Sequence, residues 1–127
     1  MIQESQLRAI MDTVEGTNYS AVSSPAQLME FAFKLQQWMA FSGTQMAECK
    51  KQLHESRRKA MVNLIASLKA NGAVLAASLQ KDYVNDLCAE ENMVYELASR
   101  CNSTCIHAID MVRSCLSTLK AEMQMVS

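Results

Sequence analysis

Very little in this chain would stop a helix. Its 127 residues include one proline (Pro25) and three glycines (Gly16, Gly43 and Gly72). After Gly72 neither residue type occurs again. Aromatic residues make up 6% of the chain and β-branched residues are sparse, which argues against an extensive sheet. No apolar run reaches the roughly 18 residues that a membrane-spanning helix needs. The opening MIQESQLRAI lacks the charged and apolar regions of a secretory signal. Gly-rich phosphate loops, HExxH and nucleophile elbows are also missing, which removes the common routes to catalysis. The expectation is a non-enzymatic, cytoplasmic, all-α protein with no cofactor and no metal.

Helix formers fill what remains. Half of the residues are hydrophobic, ten of them Met, enough for one core and not for two. Leu7, Ile10, Met11 and Val14 predict a short helix over residues 5–14, followed by a loop at 16–20. Ser24 is a good N-cap with Pro25 at the first helical position, and Asn71-Gly72 is a C-terminal signal. Between them, Leu28, Phe31, Leu35, Met39, Ser42, Met46, Cys49, Leu53, Ser56, Ala60 and Leu64 advance by threes and fours. Gly43 interrupts that stripe beside Ser42 and Thr44, where a bend or a close crossing is expected. A second rod is expected from about Asp82 to the end, after a short turn over 73–81. Its seam is Val94, Ala98, Cys101, Cys105, Ala108, Val112, Cys115 and Leu119. One domain follows: residues 1–23 a short helix and loop, 24–71 the first long helix, 73–126 the second arm. The two rods should fold back as an antiparallel hairpin.

Charge is uneven along the chain. Residues 1–44 carry −2, residues 45–72 carry +4 and residues 73–127 carry −3. The basic run Lys50, Lys51, Arg57, Arg58 and Lys59 is the strongest functional signal, because several of these cations share a helix face and such a face can track a phosphate backbone. Its bland counterpart is a solvated surface interleaved with Glu48 and Glu55. Aromatic residues are not interleaved with the run, which speaks against base stacking. The acidic stretch Asp82, Asp86, Glu90, Glu91 and Glu96 reads as a solvated face pairing with those cations. Cys101 and Cys105 lie one turn apart, but His107 points elsewhere and no second Cys/His pair has zinc spacing. Five cysteines in this setting read as small core residues.

The order of elements resembles the small phage recombination-mediator family of the UvsY type. The likeness rests on LMEFAFKLQQWMAFSGTQMAECKKQLHESRRKA, where Trp38 precedes a Lys/Arg-rich helical segment, and on ENMVYELASRCNSTCIHAIDMVRSCLSTLKAEM near the C-terminus. It spans Leu28 to Glu122. The resemblance implies a helical oligomer that binds single-stranded DNA and helps load a recombinase onto strands covered by single-strand-binding protein. Lys50, Lys51, Arg57, Arg58 and Lys59 would then contact DNA. The chain departs from the family at Ala60–Ile65, which carries no charge. The competing expectation, of a different class, is a structural or adaptor bundle with no nucleic-acid role. A thiol or metal protein using Cys101 and Cys105 is a third.

Two rods bury one seam between them, yet Phe31, Phe33, Trp38 and Phe41 lie on more than one side of the first helix. Ile109, Leu116 and Met123 flank the seam of the second. A homo-oligomer built on these seven residues is therefore expected, because a lone hairpin would leave them in water.

Overall fold

The computed structural model describes residues 1–126. Four α-helices and one 3₁₀ turn make up the regular structure of this stretch: α1 Glu4–Glu15, the turn Tyr19–Ala21, α2 Pro25–Ala70, α3 Ala77–Leu87 and α4 Ala89–Val126. No strand occurs among the described residues. The chain is all-α, as its composition requires.

The 46 residues of α2 extend about 70 Å at 1.5 Å per residue. Its ends are set by the residues expected to set them. Ser24 Oγ accepts a hydrogen bond from the Gln27 backbone N–H, with Pro25 in the first turn. At the far end Gly72 adopts φ +62°, and the N–H groups of Gly72 and Ala73 donate to the carbonyls of Lys69 and Leu68. That pattern closes the last turn and needs a residue free to be left-handed.

α4 lies antiparallel to α2, and the seam is built from small side chains. Ala98, Cys101, Cys105, Ala108 and Val112 of α4 form one buried cluster with Leu28, Leu35 and Cys49 of α2, and Ser42 is buried in the same seam. Small residues on one helix bring the two backbones close. A polar lock fixes the register there. Asn102 donates from Nδ2 to the Met39 carbonyl at 3.0 Å and to Ser42 Oγ at 3.2 Å, while Ser42 donates to the same carbonyl at 3.0 Å. A slip of one turn along α2 would strand these groups in an apolar seam.

Two findings amend the hairpin expected from sequence. First, the second arm is not one rod from Asp82. It is divided at Cys88, whose N–H is shared between the Val84 and Asn85 carbonyls. The interruption follows Asn85 and Asp86, which are weak helix formers, and Val84 and Cys88 on either side of them are both buried. Second, the hairpin is not left with a single seam. Leu7, Ile10, Met11 and Val14 of α1 are all buried, mainly against α4, so the short helix is a third member of the bundle. Gln45 holds its start in place. Its Oε1 accepts from the Gln3 N–H at 2.6 Å and its Nε2 donates to the Met1 carbonyl at 3.1 Å. The loop after α1 is also structural. Tyr19 is buried and meets Phe31 edge-on, with ring centroids 5.3 Å apart and an interplanar angle of 81°.

Gly43 neither ends nor breaks α2; it marks the crossing. A Cβ placed there would come 3.6 Å from Asn102 Nδ2, an ordinary contact distance. Gly43→Ala should therefore stabilise the chain by about 0.5–1 kcal/mol, the helix-propensity gain without a clash. Leu35→Ala, at a fully buried site, should cost about 2–5 kcal/mol. Urea titrations of the two variants must move in opposite directions, and a destabilised Gly43→Ala would mean that the crossing tolerates no methyl group.

Candidate nucleic-acid interface and the buried thiols

The basic run lies in the second half of α2, beyond the start of α1. Positions three and four apart share a helix face, so Lys51, His54 and Arg58 form one row, and all three are exposed. Lys51 and Arg58 are about 10 Å apart along the axis at 1.5 Å per residue. Lys50 and Arg57, seven residues apart, form a neighbouring row. Lys50 is exposed, whereas Arg57 is half-buried and its Nε is enclosed without a hydrogen-bond partner. Lys59 projects from another side, into a groove that it shares with Tyr83, Leu87 and Glu91. The five sequence-selected cations thus divide into a double row of four and a groove residue. His54 belongs to the outer row and was not singled out from the sequence, although its spacing from Lys51 and Arg58 was the available signal.

The acidic stretch does not neutralise this surface. Among the described residues the ion pairs are Arg8–Glu4 at 3.1 Å and Arg113–Asp110 at 3.8 Å, each within its own helix. None joins Lys50, Lys51, Arg57, Arg58 or Lys59 to Asp82, Asp86, Glu90, Glu91 or Glu96. The expected pairing of the two stretches is replaced by two unpaired fields of opposite sign on one end of the hairpin.

The seven residues expected to drive assembly are distributed differently from one another. Ile109 is buried in the chain's own core, so a lone hairpin does not leave it in water, which corrects that expectation. Phe31, Trp38, Phe41 and Leu116 are partly buried and pack against the same core. Phe33, at 62% exposure, and Met123, at 64%, remain outward. Much of the apolar surface that a two-rod picture leaves unpartnered is thus covered within the chain, where α1 adds a third helix.

The thiols are not arranged as a metal or nucleophile site. Cys101 and Cys105 are buried while His107 is exposed on another side of α4. No group of three or more His, Cys, Asp or Glu among the described residues is placed to hold a metal ion. Burial pushes the Cys105 thiol up to about 12, and the neighbouring Cys101 adds to the shift. Burial likewise raises Cys101, opposed by hydrogen bonding from Cys105 and Ser42, and raises Cys49. A thiol held in its protonated form is a poor nucleophile and a poor metal ligand.

No helix among the described residues is long and apolar enough to cross a membrane. No family model, no curated protein and no solved structure matches this chain. Function has to be read from its own surfaces.

The thiol environment fixes a pH dependence. A group whose folded pKa lies above its unfolded value near 9.0 contributes stability that is complete below that value and is lost as pH rises toward about 12. Unfolding free energy should accordingly fall between pH 9 and 12, and less steeply once Cys101 and Cys105 are both Ala. That double variant should itself cost about 1–2 kcal/mol at neutral pH. In the native protein a thiol reagent should modify half-buried Cys115 first, with Cys49, Cys88, Cys101 and Cys105 following only on unfolding. Rapid native labelling of all five would contradict the packing described here.

Proposed function

We propose that this chain is a non-enzymatic helical protein that binds single-stranded DNA through its phosphates, along the double row of cations on α2, and that it acts as a homo-oligomer alongside protein partners. One observation carries the reading. Lys51 and Arg58, with Lys50 beside them, are exposed on two turns of a rigid helix, and no carboxylate among the described residues lies within ion-pair distance of them. Arg57 supports the row from its half-buried position, and Lys59 extends positive charge into the adjoining groove. Phosphates are what such a surface attracts, since neutralising them releases condensed counterions. No aromatic side chain belongs to either row, so contact is made to backbone and not to bases, and little sequence preference follows.

This chemistry fits a mediator of recombination, as the resemblance to the UvsY-type family implies. In that role a recombinase or a single-strand-binding protein is the protein partner. Oligomerisation through Phe33 and Met123, with the half-buried Phe31, Trp38, Phe41 and Leu116 at the margins, would repeat the cationic row. Repetition raises avidity above that of one weak site. The adaptor reading, with no nucleic-acid role, draws on a different feature. The acidic residues of α3 and early α4 stand on the same end of the hairpin and reduce its attraction for any polyanion.

Fluorescence anisotropy with a labelled oligonucleotide across a salt series distinguishes the two. Wild type should bind more weakly as salt rises, and Lys51→Glu with Arg58→Glu should weaken binding at least tenfold. Losing two single-strand phosphate contacts should also reduce the logarithmic salt slope by about 1.4. Lys34→Glu, on the other half of α2, should leave both quantities near wild type. Absence of any salt-dependent binding selects the adaptor reading.

A further inference from the structure

The bundle has three helices at one end and two at the other. α1 lies on one side of the α2–α4 layer and begins beside Gln45, where its first residues are held. Beyond that point two grooves follow in line and share Glu91. Ile2, Cys49, Gln52, Glu90, Glu91 and Val94 line the first part. Glu91 also lines the second part, a groove of about 390 Å³ between α2 and the α3–α4 junction. The floor of this groove follows the spacing of a helix-packing face, with Ser56, Ala60, Asn63 and Ser67 on α2. Tyr83 and Leu87 stand on its wall, 49% and 56% exposed. Lys59 and Glu91 both line it, yet no ion pair joins them.

We propose that this groove is the docking site for an amphipathic α-helix of a partner protein, seated in line with α1. α1 itself shows what the α2–α4 layer accepts upstream. It buries Leu7, Ile10, Met11 and Val14, an apolar stripe at helical spacing. The continuation offers a floor in which Ser56, Ala60 and Ser67 are small beside Asn63 and Leu64, apolar walls, and one unpaired charge of each sign. The occupant is accordingly a helix with an i, i+3, i+4, i+7 apolar stripe, carrying carboxylates on the flank that meets Lys59 and amines on the flank that meets Glu91. The charges set its direction, because a helix turned end for end would exchange its flanks. Lys59 is shared with the proposed DNA surface, but Ser56, Tyr83, Leu87 and Glu91 are not, so the Glu91 and Ser56 variants test the groove separately from the DNA reading.

The probe is a labelled synthetic helix with Leu at the four stripe positions, Glu along one flank and Lys along the other, titrated with the full chain. Saturable binding is expected, with amide shifts at Tyr83 and Leu87. Lys59→Glu and Glu91→Lys should each weaken it at least tenfold, leaving the circular dichroism of the chain unchanged. The double variant should restore binding, since the peptide then docks in the opposite direction. Ser56→Trp, which fills the floor, should abolish binding while leaving the oligonucleotide affinity of the outer row intact. Peptide binding indifferent to both charge reversals, or no saturable binding at all, overturns the proposal. Loss of self-association in Ser56→Trp, without peptide binding by wild type, also overturns it and assigns the groove to a second copy of the chain.

Discussion

The close approach of α2 and α4 at Asn102 is the constraint on which the rest of the structure depends. Small side chains at Ala98, Cys101, Cys105 and Ala108 let the two helices come together, and the polar triplet of Asn102, Ser42 and the Met39 carbonyl admits one register. Each buried Leu along this seam is worth about 1.5–3 kcal/mol, but apolar stripes alone tolerate sliding by a turn. The hydrogen bonds remove that freedom, as a single buried Asn does in a coiled coil. With the register fixed, Gln45 falls opposite the start of α1 and Phe31 falls beside Tyr19. The third helix can dock only in that arrangement.

The same constraint explains why the two ends of the molecule differ. Around the crossing, α1 seals the α2–α4 layer and the core is continuous. Beyond Leu53 the small residues of α2 face α3, in which only Val84 is buried, with Cys88 buried at the junction to α4. Apolar side chains stay outward there, including Val62, Ile65, Leu79, Tyr83 and Leu87. That end also carries the unpaired cations of α2 and the unpaired carboxylates of α3 and α4. Buried packing is concentrated at one end, and unpaired charge with exposed apolar side chains at the other, a division natural for a rod that cannot enclose a deep pocket.

The cysteines illustrate how context decides chemistry. Cys101 and Cys105 have a spacing that in an exposed helix would present two ligands to one ion. Buried in the helical seam, with Cys101 beside Ser42, they are space-filling groups whose protons are held tightly, and their contribution is to packing density.

Much of this architecture was written in local sequence. The Ser24-Pro25 start, the Asn71-Gly72 stop and the two apolar stripes are short-range signals, each governed by hydrogen bonding or periodicity within a few residues. They determined an all-α chain with a long first helix, an antiparallel return and thiols in the core. The burial of Ile109 and Tyr19 and the docking of α1 through Gln45 depend on what lies opposite in space, which no local pattern encodes. The cationic site divides in the same way. Its residue types and the Lys51–Arg58 spacing were legible, because helical periodicity is local. The separation of Lys59 into a groove with Glu91, and the failure of the two charged stretches to pair, were decided only when the hairpin closed and set the distance between them.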